Sequence, residues 1–392
     1  MNRSRVKLFG RVLLAALVTT VRLASAGEIE KASRVEFFVY LNGDNDLIQV
    51  DRAGRVFNQA DREFESWSSI AQRSPNGTTF HLYYDGNAAL DGNLFRGTLM
   101  RRYRDQVLLE ESIFSETDST DPKWLEELLS KGSSSSLKIL VLWGHGNGWR
   151  SVPTYDFSEP EKDFSYVSLA ERLKPYKLDL VIFDACALAY MEVLTAYKDV
   201  TSALIATQFQ MPVEGIRYHG LPATLDKALS EVGSEALNKR ELIRKLYQVF
   251  KRDTDQSQRE SGLRAPIVLY ELEALEGFRL MFNEAVHFFR ATVTDLDAWR
   301  SVAEASYPRT RGAVLDHTDV ADVRAFAARL SRAFGFDTQA LLTSYRALSY
   351  QGYGSIQFYL PEQPHSDAAP VSGHGWETLL ENWRLPNHRG DS

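Results

Sequence analysis

The chain has 392 residues, of which 44% are hydrophobic and 25% are charged. This composition is that of a folded protein large enough to bury one or two cores, and it excludes an intrinsically disordered chain. The formal net charge of −7 argues against nucleic acid and anionic membranes as partners.

The first 26 residues have the pattern of a secretory signal peptide. Four basic residues precede an apolar segment over 12–21, and Leu23-Ala24-Ser25-Ala26 offers a small-x-small cleavage site. This apolar segment is shorter than the roughly 20 residues that span a bilayer. Cleavage removes five positive charges and changes the formal charge from −7 to −12. We therefore expect an exported chain, periplasmic or secreted, with no integral membrane span after cleavage.

The first predicted strand, 35–41, runs into the acidic loop Asn42-Gly43-Asp44-Asn45-Asp46. One interpretation is a solvated turn, since these residues are common turn formers. The other places the loop beside a functional site, where it shapes a cleft or holds a cation through oxygen ligands. Further along, the pattern predicts a helix over 55–70, a strand over 79–84, a hairpin over 98–103 and 106–109, and a short helix over 121–129.

A second apolar strand, 139–143, ends in a glycine-rich loop that carries His145. Glycines at 144, 146 and 148 allow the backbone to approach a ligand closely. The loop lacks the lysine and the serine or threonine of a phosphate-binding loop. The other histidines have no zinc-ligand spacing, so we expect no metal site.

The only cysteine, Cys186, lies between an apolar strand over 180–183 and helical spacing that begins at Ala187. A lone cysteine is usually an inert core residue. At a helix start, however, backbone N–H groups lower the pKa of a thiol. Since the carboxyl ends of parallel strands form one edge, His145 and Cys186 would meet there as base and nucleophile if their strands are neighbours.

The residues around this pair resemble a known family. Trp143-Gly144-His145-Gly146 and Phe183-Asp184-Ala185-Cys186 are similar to motifs of the clostripain family of cysteine peptidases, relatives of gingipains, caspases and legumain. Residues 37–47 resemble that family's first strand and acidic loop, and 354–361 resemble its last strand. The resemblance implies a caspase-like α/β fold, with a mostly parallel central sheet flanked by helices. It also implies a secreted cysteine endopeptidase that uses a Cys-His dyad without a third residue.

In this hypothesis Cys186 attacks the scissile carbonyl and His145 delivers the proton to the departing amine. The backbone N–H groups of Gly146 and Cys186 are the predicted oxyanion donors. No cofactor is expected, and a calcium requirement is left open.

Two acids are candidates for binding a basic side chain at P1, arginine or lysine. Asp184 shares a face with Cys186 if the strand stays extended, although a turn or helix cap is the alternative role. Glu214 lies where the resembled family often places its pocket acid. The family usually has acidic residues where this chain has Gln208, Phe209 and Met211.

Between His145 and Cys186, Lys162 is the first candidate for a self-cleavage point of the kind found in the resembled family, and Arg150 is the second. An ordinary exposed loop is the alternative.

The expected domains are a catalytic core over 27–220 and a helix-rich C-terminal portion over 221–392, which contributes further strands over 266–270 and 354–360. Alternating strands and helices favour the mostly parallel sheet. The expected partners are proteins or peptides with basic residues. Two alternative functions are an exported binding protein with a decayed site and a peptidyl transferase that uses the same thiol.

Overall fold

The structure is a computed structural model that describes residues 19–22, 34–50, 54, 56–86, 97–134, 136–146, 156, 165–232, 236–262, 265–293, 296–306, 320–352, 354 and 356–359. The strands, in chain order, are β1 (Thr19–Arg22), β2 (Val35–Gly43), β3 (Ile48–Val50), β4 (Val56–Asn58), β5 (Thr78–Gly86), β6 (Thr98–Arg104), β7 (Val107–Phe114), β8 (Leu137–Trp143), β9 (Leu178–Asp184), β10 (Thr201–Thr207), β11 (Ile267–Glu271), β12 (Val320–Asp322) and β13 (Gln357–Tyr359).

The α-helices, in the same order, are α1 (Gln59–Arg73), α2 (Pro122–Ser130), α3 (Tyr166–Leu173), α4 (Met191–Tyr197), α5 (Leu221–Val232), α6 (Lys239–Ser261), α7 (Leu275–Thr292), α8 (Leu296–Ser306), α9 (Val323–Phe334) and α10 (Gln339–Leu348). No helix in these ranges is long and apolar enough to cross a membrane.

Within the described residues, nine strands form the central sheet in the order β1-β7-β6-β5-β2-β8-β9-β10-β11. The five strands from β5 to β10 in this order are parallel, and the strands on either side of them pair antiparallel. The inner strands are near-continuous apolar runs because both of their faces are buried. The predicted α/β fold with a mostly parallel sheet is confirmed.

Alternate residues of the central strands enter two separate cores, one on each face of the sheet. Phe38 and Phe183 face a core that includes α3, α4 and α7 to α10. Phe37 and Val141 face a core that includes α1, α5 and α6. The C-terminal helices therefore cover both faces of the sheet.

The two predicted C-terminal strands have different positions. The one predicted over 266–270 is β11, an edge strand of the central sheet, whereas the one predicted over 354–360 is the shorter β13, which pairs with β12. An isolated bridge between Tyr190 and Gln357 holds β13 next to the segment that follows β9. The domain boundary at residue 220 stays a prediction.

The register of β2, β8 and β9 brings three loops to one rim of the sheet. Leu41 is paired with Trp143, and Trp143 is paired with Asp184. The chain therefore leaves all three strands at the same level, into the loops that carry the acidic segment, His145 and Cys186. This alignment builds the candidate site.

Candidate active site

The loops after β8 and β9 are in direct backbone contact. Gly144 N–H donates to the carbonyl oxygen of Asp184 at 3.4 Å. A Cβ atom at Gly146 would lie 2.0 Å from the carbonyl oxygen of Cys186, far inside van der Waals contact. Only glycine fits at 146 without moving one of the loops. The two segments that carry the predicted base and nucleophile are therefore packed against each other.

The thiol of Cys186 lies partly buried beneath the loop that follows β10. The N–H of Met211 points at the sulfur, 3.3 Å from Sγ. Burial is the main influence and raises the pKa of the Cys186 thiol, and the charge of Asp184 adds to it, whereas the N–H groups of Met211 and Gly146 oppose it. The backbone donors thus favour a thiolate that burial disfavours.

The predicted start of a helix at Ala187, directly after Cys186, is wrong. The helix α4 begins at Met191, four residues further on. Ala187 has a φ of 47°, and the N–H groups of Ala187, Leu188 and Ala189 donate to the carbonyl oxygens of Phe209 and Thr207 instead of entering a helix. A positive φ is uncommon for alanine and is often found at functional sites. The thiol therefore receives N–H groups from neighbouring loops and not from a helix terminus, so the predicted cause of a lowered pKa is absent.

The imidazole of His145 has a carboxylate partner. Its Nε2 lies 2.6 Å from Oδ1 of Asp46, in the acidic loop after β2. The side chains are 35% and 61% exposed. The sequence analysis predicted no third residue that would orient the histidine. A signal for Asp46 was nevertheless present, because one interpretation placed its acidic loop beside the functional site.

The acidic loop is fixed to the start of α1. Asn58 caps that helix by accepting the N–H of Ala60 at 2.8 Å, and its amide donates to the carbonyl oxygen of Gly43 at 2.7 Å. The side chain of Asn45 accepts the N–H of Leu47 at 2.9 Å. Asp46 therefore projects from a loop held at both ends.

Two further acids lie below this loop and hold their protons more strongly than usual. Burial, with the charges of Glu116, Asp156 and Asp44, raises the pKa of Asp85 well above its ordinary value. Burial, with the charges of Asp44 and Asp156, raises the pKa of Glu116 to about 7. Across the part of the chain that the structure describes, no three His, Cys, Asp or Glu side chains are placed to hold a metal ion.

Asp184 is buried and used within the fold. It is only 3% exposed. Its Oδ1 accepts the N–H of Ile216 at 2.7 Å, and its Oδ2 accepts the hydroxyl of Tyr218 at 3.0 Å. Gly215, the residue before Ile216, has a φ of 61°, and a Cβ there would lie 2.5 Å from Oδ1 of Asp184. Asp184 therefore fixes the loop after β10, and a substrate could reach this buried carboxylate only if the loop moved.

Glu214, the other predicted pocket acid, is half-buried in this loop, near a second acid that the sequence did not single out. That acid is Glu63 of α1, which is buried and accepts a hydrogen bond from Gln59 at 2.7 Å. Burial is the main cause that raises the pKa of Glu63 to about 7, Glu214 raises it further, and Gln59 and Arg217 oppose the shift. An acidic group of two carboxyls thus lies next to the loop that contacts the thiol. The self-cleavage candidates Lys162 and Arg150 lie outside the described residues.

Comparisons with known proteins show the family and the fold of this chain. The model of the clostripain family matches residues 71–338. A secreted C11 cysteine protease from Bacteroides thetaiotaomicron, solved with an irreversible peptide inhibitor, has a TM-score of 0.57 at 14% identity, over 89% of this chain and 99% of that one. An inactive zymogen C11 protease from Parabacteroides distasonis has a TM-score of 0.51 at 15% identity, over 85% of this chain and 94% of that one. No curated protein is significantly similar in sequence.

Proposed function

Because this chain belongs to the clostripain family of cysteine peptidases, we propose that it is an exported endopeptidase that uses Cys186 and His145 as its catalytic dyad. The observation that carries this proposal is the contact between Gly146 and Cys186, which brings the histidine loop against the nucleophile loop. The family membership and the register of β8 and β9 support the same pairing.

In the proposed reaction the Cys186 thiolate attacks the carbonyl carbon of the scissile bond. The N–H groups of Gly146 and Cys186 stabilise the oxyanion, and the His145 imidazolium donates a proton to the amine as the C–N bond breaks. Water, deprotonated by His145, then hydrolyses the thioester and releases the thiol. No cofactor is proposed, and activity with and without a calcium chelator tests the calcium requirement.

Asp46 would orient the imidazole in this reaction. A carboxylate only accepts hydrogen bonds, so its contact places the ring proton on Nε2 and leaves proton exchange with the substrate to Nδ1. The Asp46–His145 pair is largely exposed, so it contributes little to the stability of the fold. Its proposed effect is to hold the imidazole in position.

The proposed specificity is for arginine or lysine at P1. Since Asp184 is buried and hydrogen-bonded within the fold, the preference would depend on Glu214, with Glu63 close to it. A guanidinium or ammonium group next to Glu214 would be stabilised as an ion pair, which a neutral side chain cannot form.

Wild type and Cys186→Ala should be compared on a peptide library that varies P1, together with labelling by an arginyl chloromethyl ketone. We expect cleavage after arginine and lysine only in wild type, and labelling only where the thiol is present. Equal activity of the two proteins would remove Cys186 from the mechanism. A wild type that neither cuts nor is labelled would favour an exported binding protein, and an added amine acceptor would reveal peptidyl transfer.

Two variants test separately whether Asp46 positions the imidazole and whether Glu214 sets the P1 specificity. Asp46→Asn should lower kcat by about tenfold with little change in KM, because general acid–base catalysis depends on the imidazole position. The exposed Asp226→Asn is the matched control for loss of one surface charge. Glu214→Gln should lower kcat/KM for basic P1 residues and leave neutral ones unchanged. A kcat equal to wild type in Asp46→Asn would exclude the positioning role.

Export should be tested by N-terminal sequencing of protein recovered outside the cytoplasm. Cleavage after Ala26 would remove β1, which pairs with β7 at one sheet edge, and would leave β7 as the edge strand. A mature chain that retains Thr19 would contradict the predicted cleavage site.

A further inference from the structure

A large groove lies behind the loop that follows β10. Its volume is about 840 Å³, and its walls come from that loop and from α9 and α10. The residues that matter for its chemistry are Gln208, Asp322, Arg324, Arg332 and Arg346.

This groove shares a wall with the nucleophile loop. Phe209 lines the groove, and its carbonyl oxygen accepts the N–H of Ala187 at 2.9 Å. Two residues further on, Met211 donates its N–H to Sγ of Cys186. A ligand in the groove would therefore lie one loop away from the reacting sulfur.

The groove is positively charged, although the chain as a whole has a net charge of −7. Arg324, Arg332 and Arg346 line it, and among the described residues none of the three forms an ion pair with a carboxylate. By contrast, Arg240 and Arg244 of α6 both pair with Glu271. Three guanidinium groups around one groove supply donors in the geometry that suits a carboxylate.

Asp322 is the one acid among the described lining residues, and it forms no ion pair with these arginines. Oδ1 of Asp322 caps α9 by accepting the N–H groups of Arg324 and Ala325, both at 2.9 Å. Its Oδ2 accepts the side-chain amide of Gln208 at 3.2 Å. Both oxygens of the Asp322 carboxylate therefore accept hydrogen bonds from the groove's own residues.

Gln208 gives a second, independent indication of a ligand. Its side chain is only 6% exposed, and its Oε1 is buried without a hydrogen-bond partner. A buried acceptor without a donor costs free energy. A peptide backbone N–H would supply that donor, and a nearby acidic side chain would meet the arginines.

We propose that this groove is a substrate subsite that binds an acidic side chain of the peptide to be cut. The proposal rests on the peptidase function above and adds to it a second recognition element, separate from the P1 position. The recognised chemistry is a carboxylate, and the experiment below distinguishes a carboxylate of the bound peptide from a free small acid.

Binding should be measured by fluorescence anisotropy with Cys186→Ala, which binds peptides without cutting them. The probes are labelled peptides with arginine at P1 and a single glutamate moved through the positions on both sides of the scissile bond, each paired with its glutamine counterpart. We expect one glutamate position to bind about tenfold more tightly than glutamine, since two partly exposed ion pairs contribute roughly threefold each.

The double change Arg332→Gln with Arg346→Gln should abolish this tenfold difference. Arg259→Gln is the matched control, because Arg259 and Arg332 are both exposed helix residues whose Nε donates to the carbonyl oxygen four residues earlier. Arg346→Glu should reverse the preference, so that lysine at the same peptide position binds more tightly than glutamate.

Equal binding of every glutamate and glutamine pair would overturn the proposal, as would a preference that survives the double change. If free glutarate alters the binding of neutral peptides while glutamate in the peptide gives no advantage, the groove binds a free acid and the proposal also fails. The binding assay needs no turnover, so a wild type that cuts nothing would refute the peptidase function and leave a glutamate preference intact.

Discussion

Replacing Glu63 by glutamine should change how the stability of the protein depends on pH. Glu63 lies on α1 with 5% of its surface exposed, and its carboxyl accepts a hydrogen bond from the amide of Gln59. Burial, more than any neighbouring charge, raises the pKa of Glu63 from 4.5 to about 7. The native state therefore binds this proton more tightly than the unfolded chain does.

The sign follows from linkage between protonation and folding. Below pH 4.5 the carboxyl is protonated in both states, and its contribution to stability is complete. As the pH rises through about 7, the native state must accept a buried charge, and that contribution is lost. A shift from 4.5 to about 7 corresponds to about 3 kcal/mol, at about 1.4 kcal/mol for each pH unit.

Glutamine is isosteric and does not ionise, so it removes this loss. Its amide also brings a donor close to Oε1 of Gln59, which is buried without a partner. We expect the free energy of unfolding of Glu63→Gln, relative to wild type, to rise by about 3 kcal/mol between pH 4.5 and pH 8.

The assay is urea unfolding of both proteins at a series of pH values. Glu65→Gln is the matched control, since Glu65 lies on the same helix but is exposed. It should follow wild type at every pH. A difference between Glu63→Gln and wild type that stays constant with pH would refute the reasoning, because it would show that burial does not hold the proton on Glu63.

Two other substitutions test the loops that form the site. Gly146→Ala would place its Cβ 2.0 Å from the carbonyl oxygen of Cys186, and we expect kcat/KM to fall by about 100-fold as the loops separate; Gly277→Ala, where the added Cβ meets nothing within 4 Å, should leave activity unchanged. Tyr218→Phe removes the donor to Oδ2 of Asp184 and should lower the free energy of unfolding by about 1–3 kcal/mol, measured by urea unfolding. Full activity in Gly146→Ala, or unchanged stability in Tyr218→Phe, would contradict these contacts.

The sequence alone determined the inner strands of the central sheet and the rim at which the loops with His145 and Cys186 leave it. The apolar runs of β8 and β9 identify strands buried on both faces, and the residues that follow such strands must emerge at one edge. Those signals are local, so they do not depend on knowledge of distant contacts. His145 and Cys186 could be named for this reason, because each lies two residues after the end of its strand.

Only the tertiary structure decided what the neighbouring side chains do. The contact between Asp46 and His145 joins residues 99 positions apart, and the bonds of Asp184 join it to residues more than 30 positions away. From the sequence, Asp184 was equally suited to a substrate pocket or to a turn. Its burial and its hydrogen bonds from Ile216 and Tyr218 show that it holds the loop after β10. The arginine groove depends on α9, α10 and the loop after β10, which no local pattern brings together. Spacing along the chain predicts where a side chain leaves a strand or helix, whereas its partners and its pKa depend on which elements pack against it.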